Sequence, residues 1–198
     1  MNRSAALVDG FVASGSPVYG VTTGFGSLAS TVIPAERTAE LQVALVRSHA
    51  AGMGDTVELE VVRAMLFLRA RSLAMAFSGA RPEIVDLQLA MLNAGITPVV
   101  REHGSLGASG DLAPLSHCAL AVIGEGEVWA GGDPEPTAGA LERAGLNPVQ
   151  LRAKEGLALI NGTDGILGML CLALHDLGEL VRIADLTAAM TVEGLLGT

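Results

Sequence analysis

The sequence predicts a mainly α-helical fold with small β pieces, and three observations carry that prediction. Apolar residues recur at helical spacing over most of the 198 residues, as in Ala5, Leu7, Val8, Phe11 and Val12. Glycine, proline and serine clusters punctuate those runs at helix-length intervals. Extended character is confined to short patches, Ile96 to Val100 and the Gly-flanked Val128-Trp129-Ala130.

Taken in order, the first helix ends at Ser14-Gly15-Ser16-Pro17. Val18 to Ser30, VYGVTTGFGSLAS, carries three glycines, two threonines and two serines, too many for a regular element. Its Tyr19 and Phe25 either pin the loop to the core or present a phenol to a cavity. Pro34-Ala35-Glu36 opens a helix whose Leu41, Ala44, Leu45 and Ser48 share a face, and Gly52-Met53-Gly54 closes it. His49 falls in its last turn, where an imidazolium would favour the helix C-terminus. Asp55 to Phe77 reads as one long helix with Arg63, Arg69 and Arg71 solvated or paired, and Pro82 to Leu92 as another. Leu112 to Ile123, LAPLSHCALAVI, is apolar on most sides and is expected in the deep core. Val128 to Ala130, between Gly126 and Gly131-Gly132, reads as a small hairpin, Pro136 to Ala144 and Leu151 to Ile160 as helices, and Ile166 to about Leu196 as one long helix or two abutting ones.

Composition bounds the function. Half of the residues are hydrophobic, which implies helix faces covered from outside the chain. Each apolar stretch is interrupted before about twenty residues, by Arg69 and Arg71, by Asp164, or by His175 and Asp176, so no membrane span is expected. Met1 to Ala13 carries Arg3 and Asp9 and does not read as a secretion signal. With 21 acidic against 12 basic residues, a formal charge of -9 and few aromatics, nucleic-acid binding is not expected. Cys118 and Cys171 lack metal-ligand spacing and read as buried free thiols of a reducing compartment, with no metal.

One stretch concentrates the small and polar residues: Gly104 to His117, GSLGASGDLAPLSH. On its own, Ala108-Ser109-Gly110 before a helix describes a tight turn with Ser109 or Asp111 as the cap. Three further stretches change its meaning: YGVTTGFG at Tyr19 to Gly26, SHAAGMG at Ser48 to Gly54, and KEGLALINGT at Lys154 to Thr163. In this order and spacing, the four together resemble the aromatic amino acid ammonia-lyases, over essentially the whole chain.

That resemblance implies a fold, a cofactor and a set of roles. The chain would be a single domain, 1–198, the N-terminal part of the aspartase/fumarase-like helical fold, running into the start of its central bundle at about 165–198 and lacking the family's C-terminal part. Ala108, Ser109 and Gly110 would cyclise into 4-methylideneimidazole-5-one (MIO), so no external cofactor is needed. The Gly110 nitrogen would attack the Ala108 carbonyl carbon, Ser109 would lose its hydroxyl, and Asp111 would assist the proton movement. Tyr19 would be the base for the substrate β-proton, which requires a phenol made more acidic than its ordinary value near 10. Asn161 would contact the substrate carboxylate. His49, following Ser48, matches the histidine-using members, since an imidazole can hydrogen-bond an imidazole where phenylalanine-using enzymes favour apolar residues. His117 is read as a core or supporting residue. The implied activity is a carbon–nitrogen lyase reaction, release of ammonia from L-histidine to give urocanate, in a cytoplasmic homo-tetramer whose sites are shared between subunits. The alternatives are a tyrosine or phenylalanine lyase, an aminomutase with the same cofactor, or a non-catalytic helical module that only self-associates, with an unprocessed triplet.

Overall fold

The computed structural model describes residues 1–107 and 110–197. Ala108 and Ser109, two of the three ring-forming positions expected from the sequence, lie outside the described residues, as does Thr198.

The helices arise where the apolar period predicts them. Helix α1 (Asn2–Ser14) stops at Gly15, whose left-handed backbone lets its N–H return to the Val12 carbonyl. A glycine-rich loop follows, tied by a bridge between Thr23 and Val32. A single 3-10 turn (Ala35–Arg37) then leads into α2 (Thr38–His49). Helices α3 (Leu59–Ala74) and α4 (Pro82–Asn93) pack on each other, and α4 opens on proline, which loses no helical hydrogen bond there. The later helices are α5 (Leu112–Val122), α6 (Thr137–Arg143), α7 (Glu155–Ile160) and α8 (Asp164–Gly194).

The strands are short and clamp the helices. β1 (Met53–Thr56) pairs antiparallel with β3 (Arg101–His103), Met53 opposite His103. β2 (Thr97–Pro98), β4 (Glu127–Trp129) and β5 (Glu135–Pro136) form a second antiparallel sheet in the order β2-β4-β5. The expected hairpin around Val128 is therefore its β4-β5 half.

Helix α5 is the centre of the core. Leu115, Ala119, Ala121 and Val122 lose all solvent contact there, among Val62, Met65 and Leu66 of α3, Ile84 and Met91 of α4, and Leu159 and Ile160 of α7. Its composition, apolar on most sides, demands neighbours all round.

Several expectations need correction. The helix expected from Asp55 begins at Leu59, because Met53 to Thr56 is captured by β3. It ends at Ala74, and Ala76 adopts a positive φ that leaves the helix. The helix expected from Leu151 begins at Glu155, since Lys154 is left-handed (φ 69°) and cannot continue a helical turn. Cys118 is buried as expected, and burial, with Asp164 nearby, pushes its thiol well above its ordinary pKa. Cys171 is exposed.

Ile166 to Leu196 resolves into one helix rather than two. Only Asp164, Gly165 and Gly168 at its start are buried, packed on α3. Beyond them Leu174, Leu177, Leu180, Ile183, Leu186 and Met190 stand exposed in succession. By length and composition alone, Glu155–Gly194 is long and apolar enough to cross a membrane, contrary to the expectation from its interruptions. His175, Asp176, Glu179, Arg182 and Asp185 punctuate its middle.

Candidate active site

Asp111 is the joint of the site. It stands at the N-cap position of α5, yet its side chain makes no cap bond to that helix. Its carboxylate is buried (1% exposed) and reaches elsewhere. Oδ1 accepts the Ser105 hydroxyl at 2.6 Å, and Oδ2 accepts the Ile166 N–H at 3.0 Å, in the first turn of α8. An acidic side chain at the positive end of a helix is favourable, so Asp111 caps α8 across space instead of α5. Its own N–H donates to the Gly162 carbonyl at 2.8 Å.

Gly110, the described member of the triplet, is buried against that same carbonyl. A Cβ at Gly110 would sit 2.7 Å from the Gly162 oxygen, and the backbone φ of 155° is one that other residues rarely adopt. Position 110 is therefore restricted to glycine twice over. A ring closed through the Gly110 nitrogen needs an unhindered glycine and an immobile following residue, and Gly110 with Asp111 meets both conditions.

Asn161 and Gly162 form the turn between α7 and α8. The Asn161 side chain is exposed, while its backbone carbonyl accepts from Arg69 Nη1 at 2.9 Å. Arg69 is nearly buried and pairs with Asp164 at 3.4 Å, and the Ser72 hydroxyl donates to Asp164 at 3.4 Å. Burial lowers the Arg69 pKa, opposed by Asp164, and raises that of Asp164, opposed by Arg69. Arg69 was expected to be solvated or paired, and it is paired inside the core. A signal for this exists in the sequence: Val62, Met65, Leu66, Arg69 and Leu73 share one helical face, which puts the arginine on the apolar side of α3.

His49 ends α2. Its Nδ1 lies 2.9 Å from the Leu45 carbonyl and 3.0 Å from the Ser48 hydroxyl. A carbonyl only accepts, so Nδ1 carries the proton in that bond, and in the neutral ring Nε2 is then the acceptor. Just beyond, Gly52 N–H donates to His117 Nε2 at 3.1 Å, which fastens the chain after His49 to α5. Burial, helped by Arg101, lowers the pKa of His117 and keeps that nitrogen an acceptor.

Tyr19 is half-exposed, its ring edge-on to Phe25 at 6.2 Å, and its hydroxyl accepts the Gly26 N–H at 3.3 Å. The loop is seated on α7, since a Cβ at Gly20 would meet Leu157 at 2.5 Å. Helices α2 and α7 are locked by Gln42, whose buried Oε1 accepts the Leu157 N–H at 3.1 Å. A Cβ at Gly156 would lie 2.7 Å from the Gln42 carbonyl.

The geometry thus brings Gly110 and Asp111 into direct contact with Gly162, the residue that follows Asn161. The hydrogen bonds of Tyr19 and His49 stay within their own segments among the described residues, and their elements are joined to Asn161 through α7. Sequence reasoning missed Gln42, Gly162, Arg69 and Asp164 as parts of this frame. Among the described residues, no cluster of His, Cys, Asp or Glu has a metal-binding arrangement.

Comparison with known proteins now decides the family. The model of the aromatic amino acid lyases matches residues 1–198. The chain belongs to the aromatic amino acid lyase family. It is 58% identical over 193 residues to the histidine ammonia-lyase of Streptomyces griseus, covering 97% of this chain and 38% of that one. Among solved structures it resembles the histidine ammonia-lyase of Trypanosoma cruzi, with a TM-score of 0.90 and 40% identity, over 98% of this chain and 38% of that one. It also resembles a tyrosine aminomutase from Streptomyces globisporus, with a TM-score of 0.78 and 44% identity, over 84% and 31%. As a lyase family member, the chain has the expected helical fold, and it spans about two fifths of the length of the curated relatives it matches.

Proposed function

We propose that this lyase chain is the MIO-bearing, N-terminal part of a histidine ammonia-lyase, an enzyme that removes ammonia from L-histidine to give urocanate without an external cofactor. The observation that carries this reading is the buried contact of Gly110 and Asp111 with the Gly162 carbonyl, one residue from Asn161. Ala108, Ser109 and Gly110 would form MIO, which would supply an electrophilic methylidene able to activate the substrate amine as a leaving group.

The chain's own residues do the remainder. Asp111, tied to Ser105 and Ile166, holds the backbone after Gly110 still and, as the next residue in the chain, assists the proton movement of the closure. Tyr19 takes the β-proton from the substrate, with its hydroxyl already oriented by the Gly26 N–H. Asn161, with its backbone fixed by Arg69, offers its exposed amide to the substrate carboxylate. His49 offers Nε2 as an acceptor to the N–H of a substrate imidazole, and a phenyl ring has no such donor. The whole enzyme is read as a cytoplasmic homo-tetramer whose partner helices cover the apolar row on α8, with no membrane or nucleic-acid partner.

The test is an assay of the full-length protein on histidine, tyrosine and phenylalanine. Histidine is expected to be the substrate, and turnover of tyrosine without histidine contradicts the role of His49. Tyr19→Phe is expected to keep the loss of two waters from the triplet and to lower kcat by about 10²- to 10⁴-fold. A Phe variant at full rate removes Tyr19 as the base.

A further inference from the structure

A buried charge pair lies directly beneath the turn that touches the triplet. Arg69 and Asp164 are 6% and 3% exposed, and their closest N···O distance is 3.4 Å. Arg69 also donates to the Asn161 carbonyl at 2.9 Å. Gly162 leaves the pair no slack: a Cβ there would collide with the Asp164 carboxylate and come within 2.5 Å of Arg69 Nη1. The Gly162 carbonyl in turn accepts the Asp111 N–H and abuts Gly110. The order of contact is thus Arg69 with Asp164, then the Asn161–Gly162 backbone, then Gly110.

Two features separate this pair from a simple structural bridge. A buried ion pair is often no more stabilising than the apolar side chains that could replace it, so its presence calls for another reason. The pair is also not optimised for its own bonding, because Arg69 Nε and Asp164 Oδ2 lack hydrogen-bond partners among the described residues. What the guanidinium does complete is the fixing of the Asn161 carbonyl.

We propose that Arg69, held by Asp164, is a positioning residue for ring closure in Ala108-Ser109-Gly110, a proposal that rests on the reading of that triplet given above. Closure joins the Gly110 nitrogen to the Ala108 carbonyl carbon. The Ala108 oxygen leaves as water with the amide hydrogens of Gly110 and Ser109, giving a C=N bond at the Ser109 nitrogen. The Ser109 hydroxyl leaves as a second water with the Ser109 α-hydrogen, giving the methylidene. No oxidant is involved. Such a closure depends on holding two backbone groups at attack distance, which is an entropic advantage that misplacement by about 1 Å can reduce 10²-fold. Arg69 acts on it by keeping the Gly162 carbonyl immobile against Gly110 and Asp111.

The experiment compares the full-length protein with Arg69→Lys, Arg69→Gln and Asp164→Asn, each made by cell-free translation and followed by intact mass, with circular dichroism and thermal unfolding as controls for folding. Lysine keeps the charge opposite Asp164, but its shorter, freely rotating ammonium replaces the rigidly held Nη1 that meets both Asp164 and the Asn161 carbonyl. The expected result is a folded Arg69→Lys protein that loses its two waters at least tenfold more slowly than the parent, with Arg69→Gln and Asp164→Asn slower still. Parent-like dehydration in folded Arg69→Lys overturns the proposal, even if the other two variants fail to fold. If the unsubstituted protein loses no water, the reading of the triplet fails first and this role falls with it.

Discussion

A single nitrogen of His117 shows how residue chemistry sets the site. Its Nε2 accepts the Gly52 N–H only while unprotonated, and burial, with Arg101 beside it, lowers its pKa in the folded protein. The unfolded chain therefore binds a proton at higher pH than the folded one does. Stability contributed here is intact above the unfolded value near 6.5 and declines as the pH falls from there toward the lower folded value. His117→Gln should cost about 1 kcal/mol at pH 7.5 and flatten the loss of stability between pH 7.5 and 5.5, measured by denaturant unfolding. An equally steep loss in the variant would show that His117 does not titrate with folding. At this scale, the sequence read His117 as a supporting residue but did not reveal its partner, since nothing local links positions 52 and 117. Arg69 was more legible than it was taken to be, because its place on an apolar helical face is visible in the spacing alone.

Among the elements, legibility followed locality. Helices with long apolar periods and clear stops, α1, α2, α4 and α5, are readable because their signals lie within the element. The start of α3 is not, because Met53 to Thr56 is drawn into pairing with residues almost fifty positions later. The start of α7 depends on a left-handed lysine, a conformation that lysine does not advertise. Burial along these helices gives a graded expectation. Leu66→Ala, in the fully enclosed centre of α3, should lower stability by about 2–5 kcal/mol. Leu7→Ala, on the open face of α1, should change it by about 0.5 kcal/mol or less. Thermal or denaturant unfolding of both variants checks the contrast, and equal effects would place Leu66 outside the core.

At the scale of the whole molecule, the apolar excess in the composition finds its physical location in α8. The sequence implied apolar helix faces open to the outside of the chain, and the exposed row from Leu174 to Met190 is one. What composition could not supply is the geometry that makes the triplet special: Gly110 pressed on Gly162, Asp111 capping α8 across space, and a charge pair beneath both. Those contacts join positions about fifty to ninety-five residues apart, so no window of the sequence contains them. In the proposed function they all serve one chemical event, the conversion of ordinary backbone into an amine-seeking ring. Mass spectrometry of the segment from Gly104 to His117, released from full-length protein, tests that event directly. The account predicts a segment lighter by two water molecules, with the missing atoms mapped to Ala108, Ser109 and Gly110. Three intact, unlinked residues in a protein that still releases ammonia from histidine would contradict it.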